Sequence, residues 1–169
     1  MRRSVAYVFD VVLLFAVLAP LAFVVRSLVD VRPHTGFEIW IMTVTTFSIP
    51  VWLYFALCDA SRTGATLGKR AFGVAVAPDG GSGRVSLPRA LVRTAVKLAP
   101  WELAHLVGFA LAGVLGPAVR TAGLVVANVL ALVWFGSAVA TGGARSVHDL
   151  AAGTRVRPRS GHTAGPDGG

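Results

Sequence analysis

The stretch VAYVFDVVLLFAVLAPLAFVV, residues 5–25, decides the fold, because it holds a single charged residue, Asp10, in a run otherwise apolar enough to cross a bilayer. About 30 Å of hydrocarbon needs roughly 20 apolar residues in a helix. A carboxylate in such a run costs roughly 3 kcal/mol on insertion scales, so these groups face a bundle interior, a partner cation or a water-filled cavity. Asp10 is therefore the first candidate functional residue.

Working outward, three further segments are of spanning length and largely apolar: residues 37–57, 96–115 and 121–141. The third is the weakest, since Lys97, Pro100, Glu102 and His105 interrupt its first half. Composition agrees with a membrane assignment: 54% of residues are hydrophobic, 14% are charged and the mean hydropathy is +0.68. Met1-Arg2-Arg3 ahead of the first run is reminiscent of a cleaved signal peptide, but the run is too long and three more follow, so it reads as a retained span. The expectation is an all-α membrane protein, a four-transmembrane-helix bundle in one domain over residues 1–158. Residues 159–169, rich in Gly, Pro and Ser, are expected to form a disordered tail.

The basic residues divide unequally between alternate loops. Thirteen of the sixteen Lys and Arg fall before span one, from the end of span two to the start of span three (Lys97 included), or after span four, leaving only Arg26, Arg32 and Arg120 on the other side. This predicts a multi-pass protein of a bacterial plasma membrane with both termini cytoplasmic. A net charge of +8 also raises nucleic acid as a partner. The arginines, however, are placed as topology determinants, which points to anionic lipid headgroups and to no nucleic acid. The lone cysteine, Cys58, implies a reduced thiol. His34, His105, His148 and His162 are scattered singly, so no metal site and no cofactor are expected. No nucleophile-base arrangement is visible, and the chain does not read as an enzyme.

Between spans two and three lie about 40 residues of loop, long enough for structure of their own. Gly64 to Arg70 is a glycine-punctuated turn; it lacks the spacing and the Ser or Thr of a phosphate-binding loop. Gly73–Ala77 is β-prone, and Pro78 to Gly83 is a turn. Ser86 then reads as an N-cap with Pro88 in the first turn. That helix carries Arg89, Arg93 and Lys97 as one basic stripe and is expected to lie in the headgroup layer before Pro100 and Trp101 turn the chain inward. Lys69, Arg70, Arg89, Arg93 and Lys97 are read as contacts to lipid phosphates. A second β-prone piece, Thr154–Arg157, is expected to form a small two-stranded ladder with Gly73–Ala77, bringing Asp149 near Lys69 and Arg70.

Arg3 and Asp10 are about two turns apart and share a helix face. Asp10 is expected to pair with a basic group, from Arg3 or from the loop holding Arg70 and Arg93. Glu102 enters span three at a similar depth with His105 on the same face, so Asp10, Glu102 and His105 form a candidate ion- or ligand-binding group. The structural alternatives are an Asp10 that fixes one helix against another and a Glu102 that sits among headgroups. Asn128 reads as interhelical glue, and Gly108, Gly113, Gly116 and Gly123 as close helix contacts.

Four pieces, RSVAYVFD (3–10), GATLGKRAFGVAVAPDG (64–80), SLPRALVR (86–93) and RSVHDLAAGTRV (145–156), together resemble the RDD family of small bacterial membrane proteins, named for an arginine and two aspartates. The resemblance places the family's arginine on Arg3 and its first aspartate on Asp10. The second falls on Asp149, with Asp59 and Asp79 as alternatives. It implies a membrane fold and suggests transport of an unidentified ligand.

Two functions follow from these residues. In the leading one, the protein transports or binds a small solute or cation through Asp10, Glu102 and Asp149. In the other, it is a non-transporting scaffold or assembly factor for partner membrane proteins; a homo-oligomer or a membrane-protein partner fits the chain. A cavity touching Asp10 favours the first, and a dry Asp10 locked to an arginine favours the second.

Overall fold

The computed structural model describes residues 2–29, 32–81, 83–142 and 144–159. The expected tail lies outside the described residues from position 160 onward. The chain is mainly helical. Helix α1 (Arg2–Val29) contains the whole first apolar run and continues through Pro20. Helix α2 (Gly36–Thr43) starts at a capping box in which Thr35 and Glu38 satisfy each other's backbone amides. A π turn (Val44–Ser48) joins it to α3 (Ile49–Ala60). Pro50 accounts for the irregularity, since its missing N–H leaves a carbonyl one turn back without an α-helical partner.

Among the described residues, three helical stretches are long and apolar enough to cross a membrane: Arg2–Leu28, Gly36–Ala60 and Pro117–Ala140, the last being α6. The expected span over 96–115 is not among them. It belongs to α5 (Leu87–His105), which carries Arg89, Arg93, Lys97 and Glu102 and passes through a second π turn (Leu106–Ala110) before ending. The expected interfacial helix and third span are thus one continuous helix. Pro100 does not turn the chain, because the Val96 carbonyl it orphans accepts the Trp134 Nε1–H at 2.6 Å.

Helix α5 lies at the centre, packed against α3, α6 and the short α7 (Val147–Ala152). Its polarity is inverted relative to a soluble helix: Leu87, Leu91, Val92 and Trp101 are exposed, whereas Arg93 and Thr94 are buried. The same inversion holds across the bundle, where Phe23, Leu132 and many other large apolar side chains face outward, as they do in lipid. Gly123 of α6 lies so close to Val107 that a Cβ would meet it at 3.1 Å, whereas Gly113 and Gly116 face open space.

The predicted ladder forms. Strand β1 (Val74–Pro78) pairs antiparallel with β2 (Thr154–Pro158), Val76 opposite Val156. Alternate residues Val74, Val76 and Val156 turn inward onto Ala6, Val85 and Ala90, making a small apolar nucleus below the helices. At the ladder's end, Asp79 pairs with Arg145 on the surface.

Candidate functional site

A glycine permits the first half of the site. The short helix α4 (Leu67–Ala71) crosses α1 with Gly68 against Ala6 and Asp10. A Cβ at Gly68 would collide with the Ala6 carbonyl oxygen and come within 2.9 Å of the Asp10 Cγ. With no side chain there, the Gly68 N–H donates to Asp10 Oδ1 at 2.8 Å. The Tyr54 hydroxyl donates to the same oxygen at 2.6 Å, and Thr66 Oγ1 donates to Oδ2 at 2.5 Å. Asp10 is fully buried, and its direct partners are two hydroxyls and an amide. Among the described residues it makes no ion pair, which corrects the expected pairing with Arg3, Arg70 or Arg93. Neutral donors from α3 and α4 take the place of a cation.

The cations go elsewhere. Arg93 reaches from α5 with Nε 2.9 Å from Asp149 Oδ1 and Nη1 on Asp59 Oδ2. Lys69 pairs with Asp59, and Arg3 pairs with Asp149. Asp149 also accepts from the Ser146 N–H and Oγ, each at 2.9 Å. His148 Nε2 lies 2.7 Å from the Arg3 guanidinium. Asp59, Asp149 and Arg93 are all buried, so this chain of charges ties α1, α3, α4, α5 and α7 together.

Lys69 and Arg93, read from the sequence as lipid contacts, are held instead by these carboxylates; Arg70 and Arg89 are exposed. Asp149 takes its cations from Arg3 and Arg93 rather than from Lys69 and Arg70. Sequence reading missed Tyr54 and Thr66, and it gave Asp59 only a minor place. The signal for Asp59 was present: it is a carboxylate at the end of an apolar run, as Asp10 is one within such a run.

Burial disfavours charge on Asp149, but the Arg93 and Arg3 guanidiniums outweigh it and hold the carboxyl well below its usual range. Burial first, and then Arg93, push the His148 imidazole far below its usual value, which keeps the ring neutral and its Nε2 free to accept from Arg3. Burial also brings Lys69 down to about 8 despite the attraction of Asp59. For Arg93, burial acts downward but Asp59 and Asp149 together raise the guanidinium above its usual value.

Beside this network lies a cavity of about 460 Å³ between α1, α5 and α6. Arg3, Asp10, Lys69, Arg93, Lys97 and His148 line one end. Leu98, Ala127, Ala131, Trp134 and Phe135 are among the residues lining the rest. Lys97 places its ammonium 3.0 Å from the Phe55 ring centroid and 4.5 Å from that of Tyr7. Glu102 and His105 do not line this cavity. Glu102 accepts from Trp52 Nε1 at 3.2 Å, and His105 stacks on Trp101 with ring centroids 4.1 Å apart. Asn128 does line it, with its Nδ2 bonded at 2.8 Å to the Leu124 carbonyl of its own helix rather than across to another. Among the described residues no group of three His, Cys, Asp or Glu is arranged to hold a metal.

No curated protein and no solved structure is significantly similar to the chain. The sequence model of the RDD family matches residues 1–153, a stretch that takes in Arg3, Asp10, Asp59, Arg93 and Asp149, and the chain belongs to that family of bacterial membrane proteins.

Proposed function

We propose that this protein crosses the bacterial plasma membrane four times, with both termini cytoplasmic, and binds a small solute in the cavity between α1, α5 and α6 as a step in moving it. The cavity carries the proposal: its size falls within the range of about 300–1,000 Å³ usual for small-molecule sites, and it joins apolar walls to charged groups at one end. Asp10 supports that end without being the solute's handle, because both of its oxygens are occupied by Tyr54, Thr66 and Gly68. Exposed Arg70 and Arg89 are assigned to anionic headgroups, in keeping with the thirteen-to-three division of basic residues. The scaffold reading has one observation in its favour, namely that Asp10 is sealed and serves to hold α1 against α3 and α4.

The purified protein and Ala131→Phe, which fills the cavity, are melted in detergent against a panel of cationic, anionic and neutral solutes. The proposal expects at least one solute class to raise the melting temperature of the wild type and not of the variant. If no class distinguishes them, the scaffold reading takes over. Orientation is tested in a Cys58→Ser background, where Thr35→Cys is expected to label from outside intact cells and Ser160→Cys is not.

A further inference from the structure

Charge at the cavity's polar end does not balance. Among the described residues, four basic side chains, Arg3, Lys69, Arg93 and Lys97, meet three acidic ones, Asp10, Asp59 and Asp149, at or beside this end. Asp59 and Asp149 are engaged by Arg3, Lys69 and Arg93, and Asp10 by neutral donors. Lys97 is the remaining basic side chain. Among the described residues it has no carboxylate within 4.0 Å, and it rests on the faces of Phe55 and Tyr7. Ring faces offer an ammonium less than it loses on leaving water. A buried lysine left in this state sheds its proton; an anion beside Lys97 would keep its ammonium charged, which an inorganic cation would not do.

The rest of the cavity states what the anion is attached to. Leu98, Ala127, Ala131, Trp134 and Phe135 present no charge, and the small side chains of Ala127 and Ala131 leave room along α6. Trp101 and Phe135 line the cavity and are also among the exposed large apolar side chains, so this end of the cavity is not sealed. Resting on the solute-binding reading above, we propose that the ligand is a single-chain amphiphilic anion entering from the bilayer, its carboxylate or phosphate against Lys97 and its apolar chain along α6. Asp10, Glu102 and His105 have no contact role in this assignment.

Trp101 and Trp134 in the cavity wall supply the readout. In nanodiscs, ω-bromodecanoate is expected to quench tryptophan fluorescence saturably, with an affinity about tenfold tighter than ω-bromodecanol. Lys97→Met is expected to reduce the acid to the alcohol's affinity while leaving quenching by the alcohol unchanged, which also shows that the variant is folded. Ala131→Phe is expected to remove the saturable component for both. Equal affinity of acid and alcohol in the wild type, or an acid preference that survives in Lys97→Met, overturns the anion assignment and leaves the solute-binding reading standing. Displacement of the acid by inorganic phosphate overturns the requirement for an apolar chain. Absence of any saturable quenching overturns both readings.

Discussion

Arg93 and Asp149 stand 56 residues apart in the chain, yet the Nε of one lies 2.9 Å from the Oδ1 of the other in a buried setting. The opposite edge of the same guanidinium holds Asp59. Fixed fork geometry lets arginine bridge two carboxylates at once, which a lysine ammonium does less well. This is why α5 turns Arg93 inward while Arg89 stays exposed.

Removing that bridge is expected to be costly. Arg93→Met leaves Asp59 with Lys69 alone and Asp149 with Arg3 alone, and breaking a buried ion pair from one side typically costs about 3–5 kcal/mol. Arg93→Lys is expected to recover only part of this, because one ammonium does not span both acids. Thermal unfolding in detergent measures both variants. An Arg93→Met protein as stable as wild type would show that the network does not hold the helices together.

The approach of α4 to α1 gives a second prediction. Gly68→Ala places a methyl group into the Ala6 carbonyl and against the Asp10 carboxyl, both backbone-anchored or fully packed, so α4 must move away. Its N–H then loses Asp10, and the hydroxyls of Thr66 and Tyr54 lose their alignment. The expected destabilisation is about 2–4 kcal/mol, combining overpacking with a weakened buried hydrogen bond. Protease cleavage in the 61–73 loop should become faster in the variant. Unchanged cleavage would mean that the loop accommodates the methyl group without leaving α1.

The sequence discloses some of these relationships and conceals others for physical reasons. Length and apolarity mark α1 and α6 directly, and the two-residue alternation of Val74 and Val76 marks a strand with one buried face. The stripe Arg89, Arg93, Lys97 is equally visible, but a polar stripe on a helix does not say whether it meets water or buried acids. In a chain whose exterior is apolar, Asp59 and Asp149 were the needed clue. The setting of Asp10 is harder still to read, because its donors lie 44 to 58 residues away and two of them are ordinary hydroxyls.

Acidification should expose the role of His148. Its pKa in the folded protein is far below the usual value of 6.5, so below that pH the unfolded chain binds a proton that the native state refuses. The linkage slope from His148 is then positive: its contribution is level above about pH 7 and falls as pH drops, by about 1.4 kcal/mol per unit below 6.5. The melting temperature should decline between pH 6.5 and 4.5, before Asp149 begins to titrate below its unfolded value of 3.8. His148→Asn should flatten the decline. An equal decline in that variant would assign it to another group.

Helix α5 survives Pro100 through Trp134, and a double-mutant cycle tests this. Proline removes the N–H that would bond the Val96 carbonyl, and the indole Nε1–H replaces it from α6 at 2.6 Å. Trp134→Phe keeps an aromatic ring but leaves that carbonyl without its donor, at a cost of about 1–3 kcal/mol for an unsatisfied buried acceptor. In a Pro100→Ala background the backbone N–H of residue 100 is restored and takes the carbonyl itself. There, Trp134→Phe should cost less by at least about 1 kcal/mol, a coupling within the usual range for residues sharing a hydrogen-bond partner. Additive effects in the four melting temperatures would mean that Trp134 stabilises α5 by packing alone and that the Val96 carbonyl is satisfied some other way.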